Sequence, residues 1–105
     1  MRNISEEVAR ATQFYGEHFT PCECVSTEGT SSALDALDIF LWCDDIYIVD
    51  SAHEHNGVVR CADGSMASND WRWDYQGVKA FKLGTISKKG FLEILNQNNE
   101  LSVAS

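Results

Sequence analysis

Between residues 46 and 83, four runs rich in β-branched and aromatic residues follow one another too closely to be helices: 46–51, 57–62, 71–75 and 78–83. They are punctuated by Asn56-Gly57, Asp63-Gly64 and Gln76-Gly77, pairs that favour tight turns because Gly and Asn accept the left-handed backbone a two-residue hairpin requires. This spacing predicts an antiparallel meander and leaves no room for the crossover helices of a parallel sheet.

The flanks read as helices. Ser5 is a good N-cap, Glu6 and Glu7 suit the positive end of a helix dipole, and Val8, Ala11, Tyr15 and Phe19 share one face before Pro21 ends the run. A second helix is expected over residues 32–42: Ser32 and Asp35 stand at capping-box spacing, Ala33, Ala36, Leu37, Phe40 and Leu41 form an apolar stripe, and Asp35 and Asp38 lie opposite. The competing reading, one long strand over residues 39–49, is interrupted by Cys43-Asp44-Asp45. A last helix is expected over residues 88–98, capped by Ser87 with Ile86 stapled to Phe91, and the tail from Asn99 is expected to fray. The fold class that follows is α+β: an antiparallel sheet of four to five strands, the fifth from residues 23–26, with helices from both flanks on one face. With 105 residues and 44% hydrophobic content, one domain over residues 1–105 is expected.

The formal charge of −8 is unevenly spread. Up to Glu54 there are eleven carboxylates and two arginines, a balance of −9; beyond it, five carboxylates and six basic residues leave +1. Such acidity argues against direct binding to nucleic acid or to an anionic membrane, and for a protein partner with a basic surface. The patch expected to meet it comprises Asp35, Asp38, Asp44, Asp45, Asp50 and Glu54. No run is apolar enough for a secretory leader or a membrane span, so a cytoplasmic location with reduced Cys22, Cys24, Cys43 and Cys61 is expected.

Reaction chemistry is thinly represented. His53 and His55, two residues apart, would share a face on a strand and suit a metal with Asp50 or with Cys22 and Cys24, but they flank Asn56-Gly57, where a solvated hairpin tip is the commoner outcome. Cys-x-Cys is also shorter than the usual spacing of structural zinc ligands. A cysteine nucleophile at Cys43 or Cys61 has no local signature, and the glycines follow no phosphate-loop pattern. No metal or cofactor is therefore expected. Trp71, Trp73 and Tyr75 alternate with Arg72 and Asp74, so three aromatic faces would share one side of a strand, as core or as a contact surface.

These features favour a non-enzymatic interaction protein, such as an inhibitor or an immunity or anti-defence accessory protein, whose acidic face meets a basic partner and in its sharper form mimics nucleic-acid phosphates. The alternatives are a small ligand-binding or enzymatic domain with an aromatic pocket reached by His53, His55 or a cysteine, and a homodimer formed along an edge strand.

Overall fold

The computed structural model describes residues 4–22, 34–72 and 80–104, with the backbone alone at residue 4 and over 98–104. The expected strand at 23–26, the Gln76-Gly77 turn, Cys24, Trp73 and Tyr75 lie outside the described residues.

The first helix, α1 (Ile4–Tyr15), carries Glu6 and Glu7 in its first turn and buries Ala11 and Tyr15, with Val8 packed beside them. Gly16, in the left-handed region at φ 56°, ends it. After a 3-10 turn (Gly16–His18), Phe19 opens β1 (Phe19–Pro21). The expectation that the helix runs on through Phe19 is thus corrected by one turn. Phe19 still reaches the same core, from a strand.

The larger correction concerns the helix expected over residues 32–42. Residues 34–37 lead through a turn, and β2 (Asp38–Trp42) follows. The Asp35/Asp38 spacing reflects that turn: the Asp35 N–H donates to Asp38 Oδ2 at 2.8 Å and the Asp38 N–H to the Asp35 carbonyl at 3.1 Å. Ile39, Phe40 and Leu41 are buried in succession, which a one-sided surface helix cannot achieve but a central strand covered on both faces can. The residues Cys43-Asp44 do form the expected break. Both adopt positive φ (49° and 71°), as a type I′ turn requires, and they join β2 directly to β3 (Asp45–Ala52).

The remaining elements are β4 (Asn56–Cys61), β5 (Met66–Arg72), β6 (Phe81–Ile86) and α2 (Lys88–Ala104). Among the described residues the sheet has six strands in the order β1-β6-β2-β3-β4-β5, every neighbouring pair antiparallel. The α+β class holds, and the strands beyond the expected four are Phe19–Pro21 and Asp38–Trp42. The turn expected at Asn56-Gly57 sits instead at residues 53–55, with Asn56 already in β4. Likewise β5 starts at Met66, not Trp71: its edge position exposes most of its side chains, so it lacks the alternation that marks a buried strand.

Both helices pack on one face of the sheet. Ala11, Tyr15 and Phe91 meet Phe19, Ile39, Leu41, Ile46, Ile48, Leu83 and Ile86 there, with Ile94 and Leu95 of α2 partly buried against them. The phenol of Tyr15 donates to the Ala62 carbonyl at 3.0 Å. Arg10 ties α1 to the β2–β3 turn, reaching Glu7 at 3.0 Å and the Asp44 carbonyl at 3.2 Å. Ser87 caps α2 as expected: its Oγ accepts the Gly90 N–H at 3.1 Å. The helical backbone then continues to Ala104, past the point where fraying was expected. Gly90 lets this first turn approach the 3-10 turn closely, since a Cβ there would fall 2.5 Å from His18 Cβ.

Two stability changes of opposite sign are expected in urea unfolding. Gly90→Ala gains up to about 1 kcal/mol of helix propensity but forces a clash worth roughly 1–3 kcal/mol, so net destabilisation is expected. Replacing Cys43-Asp44 by Asn-Gly, the preferred type I′ pair, is expected to stabilise by about 1 kcal/mol; an unchanged midpoint would show that the turn carries no backbone cost.

Candidate functional site

The pleat that sends Ile39 and Leu41 toward the helices sends Phe40 and Trp42 to the opposite face. There they join Tyr47 and Val49 from β3, Val59 from β4 and Trp71 from β5, with Leu34, Ala52 and Ala80 at the margins. Phe40 is fully buried; Trp42, Tyr47 and Trp71 are half-buried around it. Phe40 stacks on Tyr47 with ring centroids 5.5 Å apart, and Trp71 meets Tyr47, Trp42 and Phe40 at 5.1, 5.2 and 5.5 Å. These are contact distances, so the rings fill one another's space and leave no slot for a ligand between them. The result is a rigid aromatic surface, and among the described residues no helix lies over it.

Polar groups border this surface at defined positions. Asp45 stands opposite Trp42 and two residues before Tyr47, hence on the same side of the hairpin. Cys61 stands opposite Tyr47, and Lys82 opposite Phe40. Burial raises the Tyr47 phenol above its ordinary pKa, and negative charge on Asp45 and, more weakly, on the Cys61 and Cys43 sulfurs raises it further.

The six carboxylates expected to form one acidic patch divide into separate groups. Asp44 and Asp45 are exposed at the β2–β3 turn. Glu54 is exposed in the β3–β4 turn, at the other end of an eight-residue strand, about 25 Å away. Asp38 is 3% exposed and pairs with Lys82 at 3.2 Å while accepting the Asp35 N–H, so it closes a turn and holds β6. Asp50 is held by Arg60 at 2.7 Å, whose guanidinium also donates to the Gly64 carbonyl at 2.8 Å. Asp35 itself is exposed at the start of β2.

His53 and His55 are exposed in the β3–β4 turn; Glu54 lies 3.9 Å from His55 Nε2. Cys22 is half-buried beside β6, Cys43 exposed and Cys61 half-buried, all as free thiols. Among the described residues no three His, Cys, Asp or Glu side chains converge in a metal-binding group. Of the aromatic stripe expected at 71, 73 and 75, Trp71 is described, and its partners are Phe40, Trp42 and Tyr47. Phe40 and Trp42 are hidden in the sequence because residues 32–42 fit a helical period, which also conceals that Tyr47, in the strand expected over 46–51, stands beside them; the signal is the alternation of Phe40 and Trp42, continued by Tyr47 and Val49 across the Cys43-Asp44 break.

No protein-family model matches the chain, and neither a curated protein nor a solved structure matches it significantly. Its function must be read from the surface itself. Among the described residues no helix is long and apolar enough to cross a membrane.

The phenols offer a direct check on this geometry. Burial and the nearby Asp63 charge raise Tyr15, outweighing Arg10, and Tyr47 is raised as described. Because the folded phenols hold their protons at pH values where unfolded ones lose them, stability is expected to fall as pH rises past about 10. Absorbance titration should show Asp45→Asn moving the Tyr47 midpoint part of the way back toward 10; an unmoved midpoint would mean that Asp45 does not face the phenol.

Proposed function

We propose that this protein is a small interaction module that docks a basic protein partner on the aromatic face of its sheet, working there through binding and without reaction chemistry. The observation that carries this reading is the half-exposed group of Trp42, Tyr47 and Trp71, set on buried Phe40 and bordered by Asp45, on the face opposite the helices. Large rigid rings that lose little conformational freedom on docking are the side chains that most often anchor protein interfaces. An adjacent carboxylate favours partners bearing Arg or Lys, which can also sit over the ring faces. The excess of −9 up to Glu54 would speed and orient such an encounter.

The sheet edges support a face rather than an edge as the docking surface. Edge strand β1 is three residues long and ends in Pro21. Edge strand β5 shifts register twice against β4, between Gly57 and Val59 and between Val59 and Arg60, and Ser68 Oγ takes up the Asp70 N–H at 3.1 Å. Short length, proline, bulges and occupied backbone donors all discourage pairing with another strand. The nucleic-acid-mimic form of the reading gains no support from the carboxylates, because Lys82 and Arg60 neutralise Asp38 and Asp50 and Glu54 stands far from Asp44 and Asp45. We also infer a reducing, cytoplasmic setting in which Cys22, Cys43 and Cys61 stay unpaired.

The test is affinity capture across a salt series, followed by hydrogen exchange on the complex with the recovered protein. Binding is expected to weaken with salt, to weaken with Asp44→Lys/Asp45→Lys mainly at low salt, and to lose at least about tenfold with Trp42→Ala/Trp71→Ala at every salt concentration. Urea unfolding of each variant confirms that it folds. Exchange protection confined to α1 and α2, or affinity unchanged in both double variants, overturns the reading.

A further inference from the structure

On the helix side of the sheet, away from the aromatic face, three side chains form a continuous hydrogen-bonded array. Ser87 Oγ lies 3.1 Å from His18 Nδ1, and His18 Nε2 lies 3.2 Å from Glu93 Oε2. One neutral tautomer satisfies both contacts: the Ser87 hydroxyl donates to bare Nδ1, and Nε2–H donates to the carboxylate. We propose that Ser87, His18 and Glu93 are a nucleophile, a general base and a positioning carboxylate, and that they hydrolyse small carboxylic esters with an apolar acyl group.

The surroundings supply the other parts such a reaction needs. Ser87 stands at a strand-to-helix junction, between β6 and α2, held by its own N–H donating to the His18 carbonyl at 2.8 Å. Its Oγ accepts the Gly90 N–H and its carbonyl accepts the Phe91 N–H. Lys88 and Lys89 open α2, where first-turn N–H groups have no intrahelical acceptor, and in this proposal those two N–H groups receive the oxyanion, helped by the helix dipole and by two exposed lysine side chains of the same sign. Next to the array an open cleft of about 100 Å³ lies between α1 and α2, with His18, Gly90 and Glu93 in its wall and Phe14, Tyr15, Ile86 and Ile94 providing apolar surface for a short acyl chain. Gly90 is what admits the imidazole: a Cβ at that position would lie 2.6 Å from His18 Cγ. A cap alone requires only Ser87 and Gly90 and leaves the ordered imidazole and its carboxylate unexplained.

The steps balance within these groups. Ser87 Oγ bonds to the ester carbonyl carbon as its proton passes to His18 Nδ1, and the oxyanion takes the Lys88 and Lys89 N–H groups. Collapse breaks the bond to the alcohol oxygen, which leaves with the proton from His18. Water then attacks the acyl-Ser87 ester, giving its proton to His18; the carboxylic acid departs and Ser87 recovers its proton. Glu93 holds the imidazole tautomer and favours the transient imidazolium, as a third group does in any such nucleophile and base pair.

The test uses the whole chain with p-nitrophenyl butyrate and a fluorophosphonate probe. Hydrolysis above the buffer rate with an initial burst of p-nitrophenol is expected, together with probe mass on the peptide containing Ser87. Ser87→Asp keeps an N-cap for α2 but has no hydroxyl, so it separates capping from catalysis: a loss of about 100-fold or more with unchanged helical circular dichroism is expected. Glu93→Gln should lower kcat with KM unchanged, and Glu93→Asp should recover part of it. Hydrolysis no faster than buffer, a rate that survives Ser87→Asp, or probe mass on another residue overturns the proposal.

Discussion

The pleat of β2 is the constraint on which the rest of the structure depends. Ile39, Phe40, Leu41 and Trp42 are consecutive, and only a strand can divide them between two faces. Ile39 and Leu41 then require a covering layer, which α1 and α2 provide; Phe40 and Trp42 require another, which aromatic rings from β3 and β5 provide. Because β2 lies between β6 and β3, the same strand also fixes where the chain's last and middle parts meet. The type I′ turn at Cys43-Asp44 sets the register of Trp42 against Asp45, and so places a carboxylate at the border of the rings.

The two faces are finished differently. On the helix side, close approach governs: Gly90 brings the first turn of α2 against His18, and Arg10 bridges α1 to the β2–β3 turn. These contacts join segments far apart in the chain and bring His18, Ser87 and Glu93 to one corner. On the other side the rings seal Phe40 but remain half-exposed themselves, a surface that is rigid and apolar yet bordered by charge. Rigidity favours binding, since such a surface gives up little conformational entropy when covered.

Legibility followed how local each signal was. The Ser87 cap, the strand cores near 46–51 and 57–62, and the break at Cys43-Asp44 rest on neighbours within a few residues, and each was readable. The segment 34–42 was not, because Ala36, Leu37, Phe40 and Leu41 satisfy a helical period while 39–42 equally satisfies a strand buried on both faces. Edge strand β5 carries no strand signal ahead of Trp71, because a solvated edge has no apolar face to alternate. The acidic residues were countable but not locatable: Asp38 and Asp50 are taken up by Lys82 and Arg60, partners 44 and 10 residues away.

The sequence by itself determined the α+β class, the placement of acidity in the half up to Glu54, the Ser87 cap and the breaks at Cys43-Asp44 and Asp63-Gly64, since these arise from local backbone preferences and charges, whereas the expected N-cap Ser5 lies inside α1 and Pro21 does not end it. Tertiary structure alone decided that residues 38–42 are a strand, that Trp71 joins Phe40, Trp42 and Tyr47, and that His18 stands between Ser87 and Glu93. The physical reason is the same in each case: a short apolar run, a lone ring or a lone histidine has several local conformations of similar free energy. Pairing with β3 and β6, ring contact across the sheet, and the missing Cβ of Gly90 select among them.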